Sequence, residues 1–133
     1  MDIETSLLVM AGGFIGGILR FFISGFMARR VGETFPWGTF IVNVSGAAAI
    51  GMMFALGASL GGFYATTTFR GFVLVGIMGG YTTVSSFCLQ SLNLMLDGER
   101  KAALFNVVAS ALSCVLAVAV GYGVVFWATG RLT

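Results

Sequence analysis

The sequence predicts an all-α membrane protein with four transmembrane helices, and three observations lead there. Of 133 residues, 58% are hydrophobic and only 9% are charged, against roughly 25% charged in ordinary soluble domains. The charges fall at intervals that leave four apolar stretches, residues 5–28, 34–69, 71–96 and 102–130, each exceeding the roughly 20 residues that a spanning helix needs. In the third stretch a polar, glycine-rich run, Gly79-Gly80-Tyr81-Thr82-Thr83-Val84-Ser85-Ser86-Phe87, interrupts the apolar sequence. A bilayer offers no water to an opened backbone, so such a run survives there only when buried in protein or lining a wet cavity. The third helix is therefore expected to be broken mid-membrane, and the break to serve an ion or a small polar solute.

The expected spans are about 5–28, 37–58, 70–96 and 102–128, forming a single domain. The long second stretch divides into one helix and a Gly-rich loop, Gly57 to Gly62, so both termini fall on one side. No cleavable signal peptide is expected, because Asp2 and Glu4 stand where a signal carries Lys or Arg. Helical spans point to a plasma membrane, the inner one in a bacterium, rather than to a barrel. Orientation is weakly marked. Arg29, Arg30, Arg100 and Lys101 lie on one side, Arg70 and Arg131 on the other, a count of four against two under the rule that basic residues stay in the cytoplasm. Glu33, Asp97 and Glu99 dilute the more basic side. A chain so marked is open to insertion both ways, and oppositely inserted copies can pair about a twofold axis in the membrane plane.

Span one carries Gly12-Gly13-Phe14-Ile15-Gly16-Gly17. Its two interleaved small-xxx-small registers allow close backbone contact, either within the subunit or between subunits. Arg20 is the only charge inside a span. It stands eight residues before Ala28, about 12 Å of helix rise. That distance suits snorkelling or structural pairing, and also the entrance of an anion path. Span two opens on Pro36-Trp37-Gly38-Thr39, with Pro at a first turn and Trp at an interface. Thr39 and Asn43, four apart, share a helix face. Asn43 either makes an interhelical hydrogen bond or lines a path, since an unpaired amide in hydrocarbon is expensive.

In span three the glycines loosen the helix and the Thr and Ser side chains can re-satisfy freed backbone groups. Gln90 continues the face of Ser86, with Asn93 nearby. Asn106, Ser110 and Ser113 run at i, i+4 and i+7 along span four. Such a stripe is interhelical glue or one wall of a pathway. Three spans carrying polar stripes exceed what packing requires. Tyr122, Phe126 and Trp127 suit an aromatic belt at the far end.

Several function classes are excluded. No nucleophile is paired with a base, no phosphate loop precedes a Lys, and the glycine pairs do not follow a strand. Histidine is absent, and Cys88 and Cys114 lie inside spans with no His or acid beside them, so buried thiols are expected rather than a disulfide or metal site. A net charge of +2 with scattered basic residues gives nucleic acid no footprint. Asp2, Glu4, Glu33, Asp97 and Glu99 all fall in termini or loops, whereas proton coupling needs a group that titrates inside a span. A passive pore therefore fits better than a proton-coupled multidrug exporter or a non-transporting structural membrane protein. Neutral hydroxyls and amides with one Arg suit a small anion, though such a lining also suits water.

Three segments in order then make a specific pattern: Gly12-Gly13-Phe14-Ile15-Gly16-Gly17-Ile18-Leu19-Arg20-Phe21, Pro36-Trp37-Gly38-Thr39-Phe40-Ile41-Val42-Asn43, and Gly76-Ile77-Met78 running into the glycine-rich segment and ending at Phe87. Over essentially its whole length the chain resembles the Fluc, or CrcB, fluoride-channel family. The resemblance implies a dual-topology antiparallel homodimer in the lipid bilayer, with two oppositely directed pathways passing fluoride passively out of the cell. It implies a central Na+ held by backbone carbonyls of both subunits, at positions matching Gly79 and Thr82. Asn43 matches the family's pore-lining Asn, Phe87 the second of two stacked phenylalanines, Ser85 the serine beside them and Arg20 the vestibule arginine. Thr39 joins this fluoride pathway, as do Asn106, Ser110 and Ser113 as the span-four track. The first ring falls at Val84, a departure, since valine has no ring edge to offer an anion. Gln90 stands where many relatives carry Glu.

Overall fold

The computed structural model describes residues 3–32 and 34–130. Asp2, used in the signal-peptide reading, and Glu33 and Arg131, used in the orientation reading, lie outside the described residues. The described chain is all-helical, with four helices long and apolar enough to cross a membrane: span one (Ile3–Val31), span two (Trp37–Leu60), span three (Thr67–Leu96) and span four (Arg100–Thr129).

Span two is the central helix. Its buried positions Thr39, Val42, Gly46, Ala47, Gly51 and Ala55 follow the helical repeat, and Val42 and Ala55 are fully buried. The residues on this stripe are small, so neighbours approach at backbone distance. Gly51 lies against the backbone of Val118 and Tyr122, and Gly121 of span four lies against Ala48 in return. Spans two and four are thus bound by two reciprocal glycine contacts. A hydrophobic force between helices is missing in lipid, so close van der Waals packing of this kind is what joins them.

Spans one and three form a second pair by the same means. Gly12 meets Phe72, Gly76 and Ile77, Gly16 meets Ile77 and Tyr81, and Gly80 meets Gly13. Of the two glycine registers in span one, Gly12/Gly16 packs within the subunit. Gly13 and Gly17 have open space where a Cβ would stand. Gly38 against Ser24 joins spans one and two.

The connections are tight. The second helix continues to Leu60, so Gly57 is a buried helical residue and the turn begins only at Gly61. Gly61 and Gly62 both take positive φ, 58° and 52°, which glycine adopts without a Cβ penalty. Short helices Gly62–Ala65 and Thr67–Phe69 follow, the latter capped by Thr66, whose Oγ1 accepts from Phe69 N at 3.2 Å. Arg70–Met78 then winds as a π-helix, a form that sequence periodicity does not foretell and that recurs at functional sites. Loop one is anchored by rings: Phe35 packs on Trp37 at 4.7 Å and on Phe105 of span four at 5.5 Å between centroids. Tyr122 and Phe126 stack at 5.9 Å near the end of span four.

Candidate functional site

The site is built around two residues. Thr82 (φ −77°, ψ 158°) and Thr83 (φ −151°, ψ 121°) are extended, and separate the helical turn Gly79–Tyr81 from the helix Val84–Leu96. Extended residues between helices strand backbone donors and acceptors, and the neighbouring side chains take them up. Asn43 does most of this. Its Nδ2 donates to Thr83 O at 2.9 Å, and its Oδ1 accepts from Thr83 N at 2.7 Å. Thr83 Oγ1 caps the following helix by accepting from Ser86 N at 3.2 Å and donates to Ser86 Oγ at 3.2 Å. Ser85 Oγ lies 3.1 Å from the same hydroxyl. Tyr81 Oη and Ser45 Oγ share a hydrogen bond of 2.8 Å.

These substitutions release two carbonyls. In a continuous α-helix Thr83 N would donate to Gly79 O and Ser86 N to Thr82 O. Both donors are turned to side chains instead. Thr82 O receives only a long contact of 3.5 Å from Arg20 Nη1, which leaves a carbonyl with two lone pairs room to accept again. Gly79 is exposed, with open space on its Cβ side.

Three cavities adjoin this point. One of about 560 Å³ is lined by Gly13, Gly17, Arg20, Thr39, Thr83 and Ser86 among others. A second, of about 530 Å³, shares Ser24, Thr39 and Ser86 with it and extends past Gln90 and Asn93 to Asp97 and the rings of loop one. A third, of about 330 Å³, holds Asn43, Thr82, Thr83, Val84, Phe87, Ser110 and Cys114. Thr83 is common to the first and third. A polar series therefore runs from Asp97 past Ser86, Thr39 and Arg20 to Thr83, and beyond it to Asn43, Phe87 and Ser110.

The structure gathers Asn43, Thr82, Val84, Phe87 and Ser110 around one cavity and places Arg20 and Thr39 on the other. Ser85, Ser113 and Asn106 line none of the three. Ser85 is exposed beside Thr83. Asn106 is 2% exposed and sits behind the wall, donating to Ser91 Oγ at 2.9 Å. Of the two roles left open for Asn43, the interhelical hydrogen bond is made, yet its second N–H and a lone pair remain for the cavity. Thr83, Ser24 and Ser86 are cavity residues that sequence reasoning did not single out as site residues. Their spacing held the signal for two of them: Thr83 and Ser86 are three apart, the cap interval. Cys88 is exposed and Cys114 half-buried, both free thiols, so the expected burial of Cys88 does not hold.

Residues 7–122 match the family model described as CrcB-like protein, Camphor Resistance (CrcB). The chain is 68% identical over 127 residues, 96% of both chains, to a Brucella abortus biovar 1 (strain 9-941) protein named fluoride-specific ion channel FluC 4. It is 67% identical over the same length and shares to FluC 3 of Brucella suis biovar 1 (strain 1330). A FluC 2 protein of Rhodopseudomonas palustris (strain BisB18) is 52% identical over 120 residues, 90% of this chain and 92% of the relative. With a match that runs through all four apolar helices and both sides of the extended threonine pair, the chain belongs to the CrcB-like family.

Proposed function

We propose that this chain is a passive, fluoride-selective channel of a bacterial inner membrane. The observation that carries the reading is the 68% identity, across 96% of both chains, with a relative named as a fluoride-specific ion channel. The geometry gives that likeness a physical content. Fluoride is small and strongly hydrated, so a path for it has to replace water with donors while excluding larger or softer ions. Arg20 offers a fixed positive charge in one cavity, and Thr39, Ser86 and Thr83 offer hydroxyls. Asn43 and the Phe87 ring stand on the other side of Thr83, where an aromatic edge carries the positive end of its quadrupole. Among the described residues, carboxylates occur only at Glu4, Asp97 and Glu99, at helix ends, so no acid inside a span is available to couple export to protons.

The working unit in this reading is an antiparallel homodimer of dual topology with two pores, in which the opened third helix lies mid-membrane. The weak bias of basic residues supports it. So does the open space on the Cβ sides of Gly17 and Gly79 in the protomer. A Na+ on the dimer axis fits the donors present. Hard cations take oxygen ligands, and the carbonyls of Gly79 and Thr82 are among those that lose their helical donors at the extended pair. Such an ion would be held by neutral backbone oxygens rather than by carboxylates and would supply a fixed positive charge at the opened backbone.

The test is growth. Expressed in a bacterium made hypersensitive to fluoride by loss of its own exporter, the protein restores growth in fluoride medium, and Asn43→Leu does not. Rescue against organic cations in place of fluoride would support a drug exporter instead.

A further inference from the structure

Asn106 presents a question that the pathway alone does not answer. It is the most buried polar side chain among the described residues, at 2% exposed, and it lies outside every cavity described above. Buried amides are bonded, and the bonds here form a directed chain. Asn106 Nδ2 donates to Ser91 Oγ at 2.9 Å, and Ser91 Oγ donates to Phe87 O at 2.8 Å. Ser110 Oγ donates to Asn106 Oδ1 at 3.3 Å. The directions follow from chemistry. An amide nitrogen only donates and both carbonyl oxygens only accept, so the single hydrogens of Ser91 and Ser110 are committed.

The consequence falls on the Phe87 cavity, which Ser110 lines together with Asn43. A serine whose hydrogen is turned to Asn106 shows the cavity only oxygen lone pairs, and lone pairs repel an anion. Ser110 can hold a halide only by rotating its hydrogen away from Asn106 Oδ1. That rotation leaves a fully buried acceptor without a donor, which opposes it. The 3.3 Å length makes the bond long for a hydroxyl donor, so it is strong enough to compete and weak enough to lose.

We propose that Asn106 is a positioning residue that competes with the anion for the Ser110 hydrogen and so sets how tightly the Phe87 cavity holds fluoride. A channel needs such a limit, because a site must be favourable enough to enter and weak enough to leave. Through Ser91 the same amide also pins the backbone of Phe87 to span four, so the ring and the withheld hydroxyl share one anchor. This inference rests on the fluoride reading above.

The experiment is a double-mutant cycle on fluoride conductance against fluoride concentration in reconstituted bilayers. Asn106→Leu frees the Ser110 hydroxyl and lowers the half-saturating fluoride concentration about tenfold, the equivalent of one competing hydrogen bond, with slower passage at high fluoride. In a Ser110→Ala background the same substitution leaves half-saturation unmoved, because no hydroxyl remains to free. Should Asn106→Leu fail to give monodisperse protein, Asn106→Val removes the acceptor too, with a smaller apolar side chain. A shift of equal size in both backgrounds, or none in either, overturns the inference while leaving the channel reading intact. Absence of fluoride conductance in the wild-type protein overturns both.

Discussion

Asn43 is one side chain doing the work of a missing helical turn. It accepts from Thr83 N and donates to Thr83 O, so removing it orphans two backbone groups at once. Asn43→Leu is expected to cost roughly 2–6 kcal/mol, at 1–3 kcal/mol for each of the two unsatisfied buried groups, read as a fall in the melting temperature of the purified protein. A side chain that only lined the path would leave the melting temperature in place. Val84 makes the opposite case. It is 74% exposed, so a ring there meets no packed neighbour. Val84→Phe is expected to change the rate of fluoride passage more than its selectivity, checked by comparing fluoride and chloride flux; a wild type that conducts nothing until the ring is supplied contradicts this. Both residues stood out in the sequence, Asn43 as a strong polar group in an apolar span and Val84 as a departure from the family pattern. The partner of Asn43 did not, because it is backbone, and one sequence carries no record of which carbonyl has lost its donor.

Among elements, the four spans were the most legible part, since length and apolarity alone delimit a helix that crosses lipid. Their pairing was less so. Gly12/Gly16 and Gly13/Gly17 are indistinguishable as motifs, and only the direction each faces tells them apart. The structure turns Gly12 to the backbone of span three and leaves Gly17 open. Gly12→Ala is therefore expected to destabilise the fold by about 1–3 kcal/mol through overpacking, while Gly17→Ala is close to neutral for protomer folding. Denaturation of the two variants side by side checks the assignment, and equal losses contradict it. The π-helical entry of span three, Arg70–Met78, was hidden because its apolar content fits an α-helix equally well. The second helix running on through Gly57 was hidden for a different reason. A glycine cluster normally marks a turn, but here the lack of a side chain at Gly57 admits the backbone of Tyr64.

At the scale of the molecule, the protomer exposes apolar side chains on all four spans. The helix Val84–Leu96 carries Val84, Leu89, Leu92 and Leu96 exposed, and the unfilled glycine positions add to a surface suited to lipid or to a second copy. The few basic residues that set orientation are divided between both sides, and this was visible from the sequence because charge counts need no coordinates. With Cys88 and Cys114 replaced by Ala, Ala65→Cys in loop two is expected to react with an impermeant thiol reagent in only part of the population of sealed cells, the rest reacting after permeabilisation. Complete reaction from one side alone contradicts dual insertion. What links every scale in the proposed reading is that the opened backbone at Thr83 is held by the neutral side chain of Asn43 and flanked by cavities, a path for a small anion that uses no titrating acid. Efflux from liposomes loaded with both fluoride and chloride, with the proton gradient collapsed, tests this most directly. Rapid loss of fluoride with chloride retained is the predicted result; fluoride that stays inside, or leaves only when a proton gradient is restored, contradicts it.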